Sequence, residues 1–235
     1  MAFLINLNKA DLIVGLTLLI GLLIGRRKGL VDMLTKAVYS VASFGASLFF
    51  YPFVSGILRQ TPIFEGVKNG VISALGLDTS VQAYTKQQEV NIINSLQLPD
   101  AFKDKMLENN NSVIYDLLGA DNLVSYIGGF IAGVIINVVL VWVLFAVFMF
   151  LLKVVLKSAG LLAKLPVIRG LNRTGGAILG VVLAVLLVWT GCSIIYAFVT
   201  KPAMLSVYNE IAASKVAYVF YENNPLLDLI MKRLF

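Results

Sequence analysis

Few side chains in this 235-residue chain could do chemistry. There is no histidine, which removes the commonest general base and the commonest transition-metal ligand. The one cysteine, Cys192, lies inside an apolar run. Alone it can form neither an intrachain disulfide nor a metal cluster, so it reads as a small apolar residue. The sequence holds no glycine-flanked nucleophile, Walker lysine or paired carboxylates within an apolar run. No catalytic, cofactor-binding or metal site is expected, and the chain reads as a non-enzyme.

The remaining polar residues stand in or beside apolar runs. Asp11 heads the first run and reads as an interface anchor or as a polar element of a transport or assembly site. Asn137, deep in a later run, is suited to an interhelical hydrogen bond. Asp32 and Lys36 lie four apart on one helical face, where they can pair. A second reading joins Asp32 to Arg173 and so ties two parts of the chain together. Arg169 and Arg173 otherwise set topology and meet lipid phosphates, each worth about 1 kcal/mol near an anionic leaflet. Gly176, Gly180 and Ala184 recur every fourth residue, a row that lets two membrane helices approach closely. Gly128, Gly129 and Gly133, or Gly21 and Gly25, are candidates for the opposing groove.

These residues need long helices to position them. The chain is 59% hydrophobic and 14% charged, against about a quarter charged for a soluble domain. An integral membrane protein follows, and a net charge of +6 then bears on orientation rather than on nucleic acid, which is not an expected partner. The first apolar run, about 11–25, has its cations after it (Arg26, Arg27, Lys28), so it reads as an uncleaved span and not as a secretory signal. A second span runs from about 30 to 54, with Ala42, Gly45 and Ala46 for close contact and Pro52 marking its end. A third covers about 126–152, within 31 uncharged residues. The fourth lies within 166–199, and from Thr174 to Thr200 there are 27 positions without charge. About 20 apolar residues suffice to cross a bilayer.

The expected architecture is an all-α integral membrane protein with four transmembrane helices as two hairpins, 1–54 and 125–200. Residues 55–124 hold five cations against eight acids and short amphipathic patterns such as Phe64, Val67, Val71 and Leu75. They read as an outer helical insertion, with no run apolar enough for a central core. Residues 201–235 read as an amphipathic helical tail. The bend at Arg27, Lys28 and Gly29, and the basic loop from Lys153 to Arg173, are cytoplasmic under the positive-inside rule. The N-terminus, 55–124 and the C-terminus then lie outside.

The segment from Gly170 through Asn172, Arg173, Gly176, Gly180 and Ala184 resembles the signature of the colicin V production protein family of bacterial inner-membrane proteins. That signature is an Asp-Arg pair followed by glycines at intervals of four. Asn172 stands where the family often has Asp, and Ala184 where it often has Gly. Asp11 and the bend Lys28-Gly29-Leu30-Val31 with Asp32 agree as well, and the resemblance covers roughly 8–50 and 125–200. It implies a multi-pass protein of the bacterial plasma membrane that assists production or export of a peptide toxin and envelope homeostasis, without catalysis of its own. The alternative is a homo-oligomeric small channel or transporter core. Expected partners are a bilayer with anionic headgroups, and self-association or other membrane proteins.

Overall fold

The structure, a computed structural model, describes residues 8–77, 84–158 and 169–232. Eleven helices follow one another in the described residues: α1 (Lys9–Lys28), α2 (Leu30–Arg59), α3 (Pro62–Leu75), α4 (Lys86–Ser95), α5 (Asp100–Glu108), α6 (Ser112–Leu118), α7 (Leu123–Ser158), α8 (Arg169–Ala197), α9 (Pro202–Ala212), α10 (Ala217–Glu222) and α11 (Pro225–Met231). No strand occurs among the described residues. Residues 78–83 of the 55–124 segment and 159–168 of the basic loop lie outside them.

Three described helices are long and apolar enough to cross a membrane: Leu30–Arg59, Leu123–Val155 and Asn172–Ala197. The first run forms α1, whose 20 residues include Lys9, Asp11, Arg26, Arg27 and Lys28. Its uncharged stretch, 12–25, is about 21 Å long, well under a bilayer's ~30 Å.

The strongest contacts join helices far apart in sequence. α1 packs on α8, and α2 packs on α7, while α1 and α2 touch each other little. α1 runs antiparallel to α8, with Gly21 against Gly180 and Ala184, and Gly25 against Gly176. α2 runs antiparallel to α7, with Ser55 beside Asn137 and Phe44 beside Phe145. A single residue, Gly29, separates α1 from α2 at φ 84°, a left-handed conformation that a side chain would strain. Arg26, Arg27, Lys28, Lys36, Lys153 and Arg173 consequently gather at one end of the long helices, while α3–α6 and α9–α11 sit at the other.

α2 does not end near Pro52. It passes through that residue to Arg59. A proline removes one backbone donor, but long helices tolerate it when neighbours hold the flanking turns. Tyr51 and Ser55 on either side of Pro52 are both buried, Ser55 against α7.

The core also sits where the sequence did not suggest one. α7 spans 36 residues, about 54 Å, nearly twice a bilayer's apolar thickness. Its first turns are wrapped by the insertion and tail: Tyr126, Ile127, Phe130, Ile131 and Val134 are all fully buried. Tyr126 stacks on Tyr115 of α6 at 4.8 Å and donates its hydroxyl to the Met106 carbonyl of α5 at 2.6 Å. Phe102 of α5 stacks on Tyr196 of α8 at 4.7 Å. The short helices of 55–124 thus have a central core, and α7 supplies it. Beyond Val138, α7 exposes Val139, Val143, Val147, Phe150 and Leu151, an apolar surface of the kind lipid covers.

Candidate functional site

The seam between α1 and α8 is the site to which most of the singled-out residues contribute. Glycines at intervals of four fall on one helical face, and here two such rows meet. A Cβ at Gly21 would lie 2.5 Å from the Ala184 Cβ and 2.6 Å from the Gly180 carbonyl oxygen. One at Gly25 would strike the Gly176 carbonyl and lie 2.9 Å from the Gly180 Cα. From the other side, Cβ atoms at Gly176 and Gly180 would strike the carbonyl oxygens of Gly25 and Gly21. The hydrogen in place of each missing Cβ therefore faces backbone across the seam, a weak contact worth about 0.5–1 kcal/mol. Nothing larger than glycine fits at these four positions.

The groove facing the Gly176 row is thus made by Gly21 and Gly25. Gly128 and Gly129 lie elsewhere: Gly128 faces Ile72 and Lys68 of α3, and Gly129 faces Leu118 of α6. In α2, Gly45 meets nothing within 4 Å and Ala42 is exposed. The side of α2 that packs closely carries Ser43, Ser47, Tyr51 and Ser55, all buried. That row, also spaced by four, was a signal in the sequence, hidden because serine reads as polar.

Polar residues fasten the seam at both ends. At the basic end, the Asn172 Oδ1 accepts the backbone N–H of Leu30 at 2.7 Å. Leu30 opens α2, and its first amides have no partner within the helix; Gly29 supplies no side-chain cap. Asn172 acts as that cap from 142 residues away. It also fills the space over Gly29, where a Cβ would lie 2.5 Å from its Nδ2. Gly170 belongs to the first turn of α8, and Arg173 is exposed in the same helix. Arg27, Lys28 and Asp32 are exposed too. Among the described residues, no ion pair joins Asp32 to Arg173 or to Lys36; the four pairs present all lie between Glu65 and Glu108. The tie expected of Asp32 and Arg173 is made by Asn172 and Leu30 instead.

At the far end, Asp11 is 4% exposed. Its Oδ1 accepts the backbone N–H groups of Val216 at 2.8 Å and Ala217 at 3.0 Å, and Oδ2 accepts that of Lys215 at 3.4 Å. The carboxylate therefore meets the start of α10, where orphan amides and the helix dipole favour an anion. Asn8 caps α1 by accepting the Asp11 N–H at 2.9 Å, and its Nδ2 donates to the Glu210 carbonyl at 2.6 Å. Asp11 thus docks the tail onto α1, a role the sequence did not indicate because the backbone it grips lies over 200 residues on.

Away from the seam, Asn137 is 1% exposed, and its Oδ1 accepts the Ser55 hydroxyl at 2.5 Å. A similar buried knot joins α8 to α11: Asn224 Nδ2 donates to the Trp189 carbonyl at 2.9 Å and to the Ser193 hydroxyl at 3.1 Å. Each knot satisfies polar groups that would otherwise be costly away from water. Cys192 is buried beside the second. Among the described residues, no group of three or more His, Cys, Asp or Glu side chains could hold a metal ion.

No protein-family model matches the chain, and no curated protein or solved structure does either.

Proposed function

We propose that the chain is a multi-pass protein of the bacterial plasma membrane, of the colicin V production type, assisting production or export of a peptide toxin and envelope homeostasis without catalysis of its own. One observation carries this reading: the segment that resembles the family's signature, Asn172 to Ala184, is the half of the seam that seats α1. In this reading α1 is a fourth span. Its Leu12, Ile13, Leu19 and Ile20 are about half exposed or more, apolar side chains that lipid would cover. The tight fit to α8 compensates for its short apolar length, and Arg26, Arg27 and Lys28 reach the headgroups by snorkelling. The basic end faces the cytoplasm, and the insertion and tail lie outside.

The test of function is removal of the gene from its host, with export of a peptide toxin and survival of envelope stress as readouts. Restoration by the wild-type chain but not by Gly180→Leu supports the reading; unchanged export and survival without the gene would sink it. Topology is tested by labelling Asn69→Cys and Thr174→Cys in a Cys192→Ser background. Both positions are exposed, and labelling of position 174 from outside overturns the orientation. A homo-oligomeric channel would have to assemble through surfaces other than the glycine row, which α1 already fills; ion flux in liposomes would favour it.

A further inference from the structure

The bundle has a cavity of about 610 Å³ between α2, α7, α8 and α11. Its walls are apolar along most of their length, with Phe44, Leu48, Trp142, Phe145, Leu186 and Leu229 among them. It is a side groove and not a sealed void, because Val41, Leu187 and Leu229 on its rim are 68%, 63% and 44% exposed. At Gly45 in its wall, a Cβ would meet nothing within 4 Å. From Lys36 to Leu48 the wall follows α2 for 12 residues, about 18 Å, close to one leaflet's ~15 Å of hydrocarbon.

The polar groups are unevenly spread along this groove. Lys36 and Lys153 both line it at the basic end, one from α2 and one from α7. Lys28, at the end of α1, and Lys153 are both near enough to act on the charge of Lys36, against the single carboxylate of Asp32. Neither Lys36 nor Lys153 forms an ion pair among the described residues. Two ammonium groups from two helices thus stand at one end of an apolar slot, with Lys28 close to the first and one carboxylate, Asp32, against the three. A basic pocket between membrane helices on the cytoplasmic side suits an acidic lipid headgroup.

We propose that this groove holds one anionic phospholipid, its phosphate at Lys36 and Lys153 and an acyl chain along Phe44, Trp142 and Phe145. The inference rests on the membrane-embedded reading but not on any role in export. Two features select a lipid over a soluble phosphate compound or a second copy of the chain. The apolar wall continues well past the cations, and the groove's axis runs along the helices, as an acyl chain lies in a leaflet.

Trp142 is a built-in reporter. The chain has two tryptophans, and only Trp142 lines the groove, so Trp189→Phe leaves a single emitter at the site. The full-length Trp189→Phe protein is reconstituted in nanodiscs, and lipids brominated on the acyl chain are added as quenchers. Brominated phosphatidylglycerol should quench Trp142 at a lower mole fraction than brominated phosphatidylcholine of identical chains. Lys36→Gln and Lys153→Gln should each weaken that preference by about fivefold. Gly45→Leu, which fills the groove from an open position, should reduce quenching by both lipids. Circular dichroism and melting of each variant establish that it is folded, and native mass spectrometry gives a second readout as retained phosphatidylglycerol. Equal quenching by the two lipids overturns the proposal while leaving the membrane reading intact, since lipid would still reach the helices. Absence of quenching by either lipid overturns both. Trp142 shielded by a dimer, seen as a cross-linked pair lost in Gly45→Leu, would assign the groove to a second copy instead.

Discussion

The amide oxygen of Asn172 accepts the backbone N–H of Leu30 at 2.7 Å, so a residue at the start of α8 caps the start of α2. The bond joins the bend at Gly29 to the first turns of α8, where α1 lies against the glycine face.

Asn172→Ala should therefore lower stability by about 1 kcal/mol, the usual worth of a helix N-cap. Asn172→Asp should not, because a carboxylate accepts the same N–H and is favoured at a helix N-terminus. Thermal unfolding in nanodiscs measures both, and an Asn172→Ala variant as stable as the wild type would show that the bond contributes nothing.

Gly180→Leu and Gly15→Leu place the same bulk in apolar helices with opposite expectations. At Gly180 a first carbon already collides with the Gly21 carbonyl, whereas at Gly15 it meets nothing within 4 Å. The first should cost about 3 kcal/mol or more by forcing the seam apart; the second should be nearly neutral. Similar melting temperatures for the two would contradict the seam.

Asp11→Asn keeps the shape of the side chain but withdraws the charge from the start of α10. Hydrogen bonds to a charged acceptor contribute about 1.5–3 kcal/mol, and a neutral amide acceptor retains about half of that. Hydrogen exchange should report this locally: the amides of Val216 and Ala217, which donate to Asp11, lose protection while that of Tyr126 does not. Unchanged protection at 216 and 217 would rule out the docking role.

Ser55 and Asn137 make the buried link between α2 and α7, and their energetics should be strongly non-additive. Ser55→Ala leaves a buried amide oxygen without its donor and should cost about 1 kcal/mol, as should Asn137→Leu. The double variant should cost less than the two singles together, because no polar group is then stranded. A double-mutant cycle by chemical unfolding gives the coupling, and a value of zero would mean that the two side chains act independently.

The apolar runs were legible because a membrane crossing demands a long uncharged sequence, and α2, α7 and α8 announce themselves on that ground. The Gly176 row was legible as a close-packing face for the same kind of reason: spacing by four defines a face in any helix. Its partner was not, since Gly21 and Gly128 look alike in sequence and only the tertiary fold chooses between them. The role of Asp11 was hidden because its acceptors' partners are backbone amides, which every residue carries and no residue type marks. The core around Tyr126 and Phe130 was missed for a different reason. Its apolar residues belong to a helix that also continues as an apolar run, so one pattern serves two surroundings. Pro52 misled by propensity: packing on both flanking turns outweighed the lost donor.

The joining of the first long helix to the last has a consequence in time. A ribosome adds about 5–20 residues per second, and 142 residues separate Leu30 from the Asn172 that caps it. Once α1 and the start of α2 have left the ribosome, their partner surface does not exist for roughly 7 to 28 seconds. Throughout that interval Gly21 and Gly25 face no glycine row. The seam can close only once α8 has emerged, and the tail that Asp11 grips follows later still.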